Sequence, residues 1–257
     1  MPTDYSVLAL ISATALFAGF IDSLVGGGGL IQIPVLFTAL PHELPATLFG
    51  TNKISSVFGT SYAAGRYARR VQIPWRTTLP AALFAFAFSY LGAMAVAWLP
   101  REFLRPLILV LLVVSAAYTF WHKDFGAIHR PQYDGRRELA YALVMGGAIG
   151  FYEGFFGPGA GSFLIFFFIR FFGFDFLHAS AAAKVVNIAT NLAALGFFIP
   201  NGFYLPIVAL AMASSNVLGS VIGTHLALRH GTGFVRRVFL LVVCALILKF
   251  AWDTFSG

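Results

Sequence analysis

Two acids, two glycine-rich stretches and two lysines are the residues of this chain best suited to chemistry, and they occur in the same order twice. The first set is Asp22, then Gly26, Gly27, Gly28 and Gly29, then Lys53 with Asn52 beside it. The second is Glu153, then Gly157, Gly159 and Gly161, then Lys184 with Asn187 close behind. Position 22 falls on 153, 26 on 157, 28 on 159 and 53 on 184, a constant offset of 131 without a gap. The same offset pairs Gly19 with Gly150, Gly65 with Gly196, Gly92 with Gly223 and Trp121 with Trp252.

The chemistry on offer is recognition of charge. Each glycine in a helix costs about 1 kcal/mol relative to alanine, so four in a row mark a break that has a use. Amides freed at such a break, next to the positive end of the following helix, form a ready anion site. A lysine near mid-bilayer costs about 2.5–3.5 kcal/mol on insertion scales, so two at matching positions should face an aqueous path or an anionic partner. The glycines, Asn52, Lys53, Lys184 and Asn187 are therefore candidate substrate contacts. Asp22 and Glu153 are candidates for pairing with the lysines or for carrying a coupled proton. The ordinary alternatives are close helix packing by small residues, snorkelling of the lysines and helix capping by the acids.

Nearly everything around these residues is apolar. Of 257 residues 59% are hydrophobic and 11% charged, against about 25% charged in a soluble domain. Runs such as 79–99 and 103–121 approach the roughly 20 residues that a membrane helix needs. Strand-like alternation is absent, so the expected fold is an all-α polytopic membrane protein. Five apolar segments fall in each half, at about 5–25, 30–40, 46–65, 77–99 and 103–121, then 138–156, 161–173, 176–198, 203–228 and 234–255. Residues 1–121 form the first repeat and 138–257 the second, with the polar stretch 122–137 as linker. Segments 30–40 and 161–173 rise only about 17–20 Å, short of the roughly 30 Å core. Each follows a glycine break, so each is expected to be the returning arm of a re-entrant hairpin; a short, bent crossing is the alternative.

Loop charges suggest how the halves are related. Arg66, Arg69, Arg70 and Arg76 crowd one loop of the first half, whereas its counterpart at 200–204 has no charge. At the next pair the bias reverses: Arg101 and Arg105 with Glu102 at 100–105, but Arg229, His230, Arg236 and Arg237 at 229–237. Exchanged basicity puts equivalent loops on opposite faces, which makes the repeats inverted. Each then holds a glycine-broken helix pair plus three transmembrane helices, with the central linker cytoplasmic and both termini outside. Trp75, Trp98, Trp121 and Trp252 at segment ends fit an interfacial belt.

Other function classes lack support. The net charge of +7 sits in short loops rather than in a basic stripe with exposed aromatics, so nucleic-acid binding is not expected. One cysteine, Cys244, in an apolar run gives no basis for disulfides, zinc or thiol catalysis. His42-Glu43 lacks a second histidine at the zincin spacing, and neither a nucleophile elbow nor a P-loop is present. No cofactor, metal or catalytic residue is expected, and no cleavable leader is evident at residues 1–5.

The motifs carry a resemblance. Ala18-Gly19-Phe20-Ile21-Asp22-Ser23-Leu24-Val25 followed by Gly26–Gly29, Pro34 and Gly50-Thr51-Asn52-Lys53 resembles the sulfite exporter TauE/SafE family of bacterial membrane transporters. Gly150-Phe151, Gly157-Pro158-Gly159-Ala160-Gly161, Ala183-Lys184 and Asn187 extend it through the second half. The resemblance implies a secondary transporter of the inner membrane moving a small anion of sulfite, sulfonate, sulfoacetate or small-carboxylate type. A passive anion channel is the alternative. It also implies that Lys53, Lys184 and the glycine loops contact the anion; it does not choose the anion or the oligomeric state. Membrane lipid and, through Asp22 or Glu153, a coupling proton are the further partners expected from the residues themselves. Glu153 departs from the family pattern and favours a proton-coupling or lysine-pairing role.

Overall fold

The computed structural model describes residues 5–96, 128–130 and 135–255. The expected segment 103–121, the loop at 100–105, Trp98, Trp121 and most of the linker lie outside the described residues. Every regular element among those described is a helix: α1 (Tyr5–Val25), α2 (Gly29–Ala39), α3 (Pro45–Ala68), α4 (Trp75–Ala95), α5 (Gly135–Phe155), α6 (Ala160–Phe172), α7 (Phe176–Phe198) and α8 (Pro206–Phe255). The chain is an all-helical membrane protein. Among the described residues four helices are long and apolar enough to cross a bilayer, namely α1, α4, α7 and the first 37 residues of α8, Pro206–Val242.

Two boundaries differ from expectation. Helix α5 starts at Gly135, so Gly135–Arg137 open the helix instead of ending the linker. The segments at 203–228 and 234–255 run on as α8, interrupted at Gly231, whose φ of 73° and ψ of −169° are outside the helical region. The basic cluster at 229–237 therefore sits on a helix break and not in an open loop.

The elements of the two halves correspond at the 131-residue offset, and so do their contacts. Helix α1 packs mainly on α8 and α4 on α5; α3 packs on α8 and α4 on α7; α3 and α7 pack on each other. The main contacts between halves thus have their exchanged counterparts. Small residues allow the close approach. A Cβ on Gly92 would lie 2.2 Å from the Phe151 carbonyl oxygen, and one on Gly223 would lie 2.4 Å from that of Phe20. Gly19 meets Asn216, and Gly150 meets Ala85, in the same reciprocal way. These repeated glycines do packing work and lie apart from the site.

The short helices are seated differently. Helix α6 buries Phe163, Phe168 and Phe172 in the main apolar core and ends at Gly173, with φ of 72° and the amide on Ile169. Asp175 then caps α7 by accepting from the His178 amide at 2.8 Å, a contact worth about 1 kcal/mol. Burial pushes the Asp175 carboxyl up, but the His178 ring and amide outweigh it and hold the group below the usual carboxylate range.

Candidate functional site

The site forms where α1 and α5 stop inside the protein. A helix end leaves four carbonyls without intrahelical partners, which is expensive away from water. At α1 all four are met by side chains from elsewhere. The Asp22 carbonyl accepts from Lys184 Nζ at 2.6 Å and the Ser23 carbonyl from the Tyr67 hydroxyl at 3.1 Å. The Leu24 carbonyl accepts from Ser180 Oγ at 3.4 Å and that of Val25 from Ser162 Oγ at 3.1 Å. At α5 the Glu153 carbonyl accepts from Lys53 Nζ at 2.7 Å. Each lysine therefore caps the broken helix of the opposite half, where a cation also complements the helix dipole. Lys53 and Lys184 are each 3% exposed, so neither snorkels to the surface.

Beyond each break the chain turns through left-handed glycines. Gly26 and Gly27 have φ of 73° and 89°, Gly157 and Gly159 of 91° and 85°. The two loops touch backbone to backbone, since a Cβ on Gly26 would lie 2.4 Å from the Gly161 carbonyl carbon. The Gly28 amide donates to Asp22 Oδ1 at 3.1 Å. The amides of Gly27, Gly29, Gly159 and Gly161 find no acceptor among the described residues.

Those four glycines line one small cavity together with Asp22, Asn52, Lys53, Ser56, Glu153, Gly157, Asn187 and Asn191. Its volume is about 20 Å³, room for about one water molecule. Lys53 Nζ stands 3.7 Å from Glu153 Oε1, both side chains being almost fully buried. Asn187 Nδ2 donates to the same oxygen at 2.7 Å and is oriented by Asn191, which donates to Asn187 Oδ1 at 2.9 Å. Thr60 donates to Asp22 Oδ2 at 3.3 Å. Two buried oxygens, Asn52 Oδ1 and Glu153 Oε2, accept no hydrogen bond.

Most of the residues singled out from sequence thus meet at one place. Gly26 and Gly28 shape the loop without lining the cavity, and Lys184 lies behind it on the Asp22 carbonyl. Ser56 and Asn191 line the cavity, while Thr60, Tyr67, Ser162 and Ser180 support it. The 131-residue offset pairs Ser56 with Asn187 and Thr60 with Asn191, a signal that polarity alone conceals.

A second cluster, His129, Asp175 and His178, brings metal-type ligand atoms within 4.8 Å of one another. The two rings stack with centroids 4.0 Å apart, and His178 Nδ1 is spent on Asp175 at 2.9 Å. His178 is thereby tied to the carboxylate that caps α7. Burial and the neighbouring His178 ring hold His129 below the usual histidine range.

A helical chain with paired glycine breaks and buried lysines narrows the field, and comparison with known proteins decides it. The family model described as sulfite exporter TauE/SafE matches residues 11–250. The chain belongs to this family. A probable membrane transporter protein, ORF9, of a Sinorhizobium species is 34% identical over 250 residues, covering 97% of this chain and 94% of its own. The probable membrane transporter protein YfcA of Escherichia coli K12 is 32% identical over 248 residues, 96% and 91% of the two chains. A probable membrane transporter protein of Haemophilus influenzae is 29% identical over 254 residues, 98% of each. No solved structure matches. As a TauE/SafE family member the chain is a multi-pass membrane transporter.

Proposed function

We propose that the chain is a secondary transporter for a small organic or inorganic anion of sulfite, sulfonate, sulfoacetate or small-carboxylate type. The observation that carries this reading is the set of four unspent glycine amides around a cavity that also holds Lys53 Nζ. Amides at the start of α2 and α6 supply directed hydrogen bonds and the positive helix ends, Lys53 supplies charge, and Asn52, Asn187, Ser56 and Asn191 select shape. Lys184 acts at one remove, by fixing the α1 end that carries Asp22.

The repeats are inverted and exchange roles during alternating access, with the protein in the bacterial inner membrane and the linker cytoplasmic. Reciprocal contacts between halves and exchanged loop basicity support this,. The cavity is too small for a four-atom oxyanion, so loading requires the halves to part. That need for movement favours a transporter over a passive anion channel.

Sulfite, thiosulfate, sulfoacetate, taurine, oxalate and lactate should be screened by thermal shift on purified protein. At least one anion is expected to raise the melting temperature, by an amount equivalent to about 2.7 kcal/mol at a hundred times its Kd. Failure of every anion to shift it contradicts the proposal. Saturation and counterflow in proteoliposomes separate the transporter from the channel.

A further inference from the structure

We infer that Glu153 takes up a proton as an anion enters the cavity, so that anion and proton are carried together. This rests on the anion reading above and adds the identity of the coupling ion and of its binding atom.

Charge balance is the first ground. Four ionisable side chains meet at the loops: Lys53 on Glu153, and Lys184 on the Asp22 segment. In their ionised forms they sum to zero. An entering anion adds negative charge to a buried, already neutral group, and an uncompensated buried charge is strongly disfavoured. A cation must accompany it. A metal ion is poorly served, because hard cations want about six oxygen ligands. The carbonyls of Asp22, Ser23, Leu24, Val25 and Glu153 are already spent on side-chain donors. A proton needs one oxygen.

Geometry selects the oxygen. Both oxygens of Asp22 accept hydrogen bonds, Oδ1 from the Gly28 amide and Oδ2 from Thr60. Protonating Asp22 would loosen the loop that forms the site. Glu153 divides its duties: Oε1 accepts from Asn187 and faces Lys53, while Oε2 is buried and accepts nothing. The neighbouring Thr190 hydroxyl donates to the Asn187 carbonyl at 2.9 Å and is a further donor that also stands beside the Glu153 carboxyl. The charged groups facing Glu153 are Lys53 from α3 and Asp22 from α1, with Lys184 from α7 behind Asp22 and the Tyr152 phenol on its own helix; neither α4 nor α6 brings a charge to it.

The step then balances. A proton from water adds to Oε2, Glu153 becomes neutral, and Lys53 remains an ammonium held by the Glu153 carbonyl. Its charge, no longer matched by the carboxylate, is available to the anion. One proton offsets one added negative charge and leaves the ammonium to face the anion; the second charge of a dianion rests on the loop amides and the positive helix ends. Reversal on the far side frees both passengers.

The test uses full-length protein in proteoliposomes with labelled sulfoacetate, which is fully ionised near neutrality and brings no proton of its own. With the membrane potential clamped, an outside-acid gradient of one pH unit should drive accumulation of about tenfold per coupled proton. In Glu153→Gln the accumulation ratio should fall to near one. Because this is a ratio within each variant, lower expression or affinity does not move it. Should the variant fail to fold, wild-type vesicles carrying a lumenal pH dye still decide: an inward sulfoacetate gradient alone should acidify the lumen. Counterflow in wild type without gradient-driven accumulation, no acidification, or accumulation retained in Glu153→Gln overturns the coupling and leaves the anion site standing. Absence of counterflow in wild type with sulfoacetate and with each of the other screened anions contradicts the anion reading itself.

Discussion

Replacing Lys53 with methionine is expected to abolish anion transport and to lower stability, and adding Glu153→Gln is expected to restore the fold but not the transport. Lys53 has two jobs that the double variant separates. It caps the α5 end through the Glu153 carbonyl at 2.7 Å and balances the Glu153 carboxylate at 3.7 Å. Removing one member of a buried ion pair costs about 3–5 kcal/mol, chiefly because the survivor is left charged and unpaired. Neutralising Glu153 removes that penalty, and only the lost carbonyl contact remains. The anion regains nothing. Losing a buried charged contact costs a ligand about 2–5 kcal/mol, or roughly thirtyfold to several thousandfold in affinity. Lys184→Met should behave differently, since its ammonium caps α1 behind the cavity: a fall in melting temperature with weaker effect on anion affinity. Melting curves and anion titrations on the three variants check this, and equal anion affinity in wild type and the Lys53→Met/Glu153→Gln double variant contradicts it.

Gly26→Ala carries the second large effect. Gly26 has φ of 73°, where a side chain costs about 1–2 kcal/mol,. Its Cβ would stand 2.4 Å from the Gly161 carbonyl carbon and 2.6 Å from the Ser162 amide nitrogen, both backbone atoms. Neither atom can turn aside, so the loops must separate, at a further overpacking cost of about 1–3 kcal/mol. Gly202 is the internal control. It shares the φ of 73°, but a Cβ there meets nothing within 4 Å. Gly202→Ala should therefore lose only the backbone share and keep transport, whereas Gly26→Ala should lose roughly twice as much stability and transport with it. Similar losses in the two variants would mean that contact between the loops is not what the glycine provides.

The contrast between these residues shows what a linear reading of this chain reaches. Glycine runs, inward lysines and their constant offset are local or periodic, and they led to the broken helices and the cavity lining at Gly27, Gly29, Lys53, Glu153, Gly157, Gly159 and Asn187. Helix edges were accurate where a proline or glycine marks them, as at Pro45 and Gly173. Partner choice was hidden. Lys184 reaches Asp22 across 162 positions and Ser180 reaches Leu24 across 156. Nothing in either local segment encodes that these side chains close the carbonyls of a distant helix end. The lysines were expected to contact an anion, with Asp22 and Glu153 as candidate partners; Lys53 does face Glu153, but the hydrogen bonds of both ammonium groups go to backbone carbonyls, and only Lys53 also borders the cavity. The break expected between 203–228 and 234–255 falls at Gly231, but it is a single non-helical residue between helical flanks and not a loop.

The central claim, that a small anion occupies the cavity between the two glycine loops, is tested most directly by site protection. Ser56 lines the cavity, and Cys244 is the chain's single cysteine. Ser56→Cys in a Cys244→Ser background should react with a small thiol reagent at a rate that sulfoacetate slows at least tenfold, while an equal ionic strength of sodium chloride does not. Labelling that proceeds at the same rate in saturating sulfoacetate, in protein that still exchanges sulfoacetate across the membrane, would contradict the account.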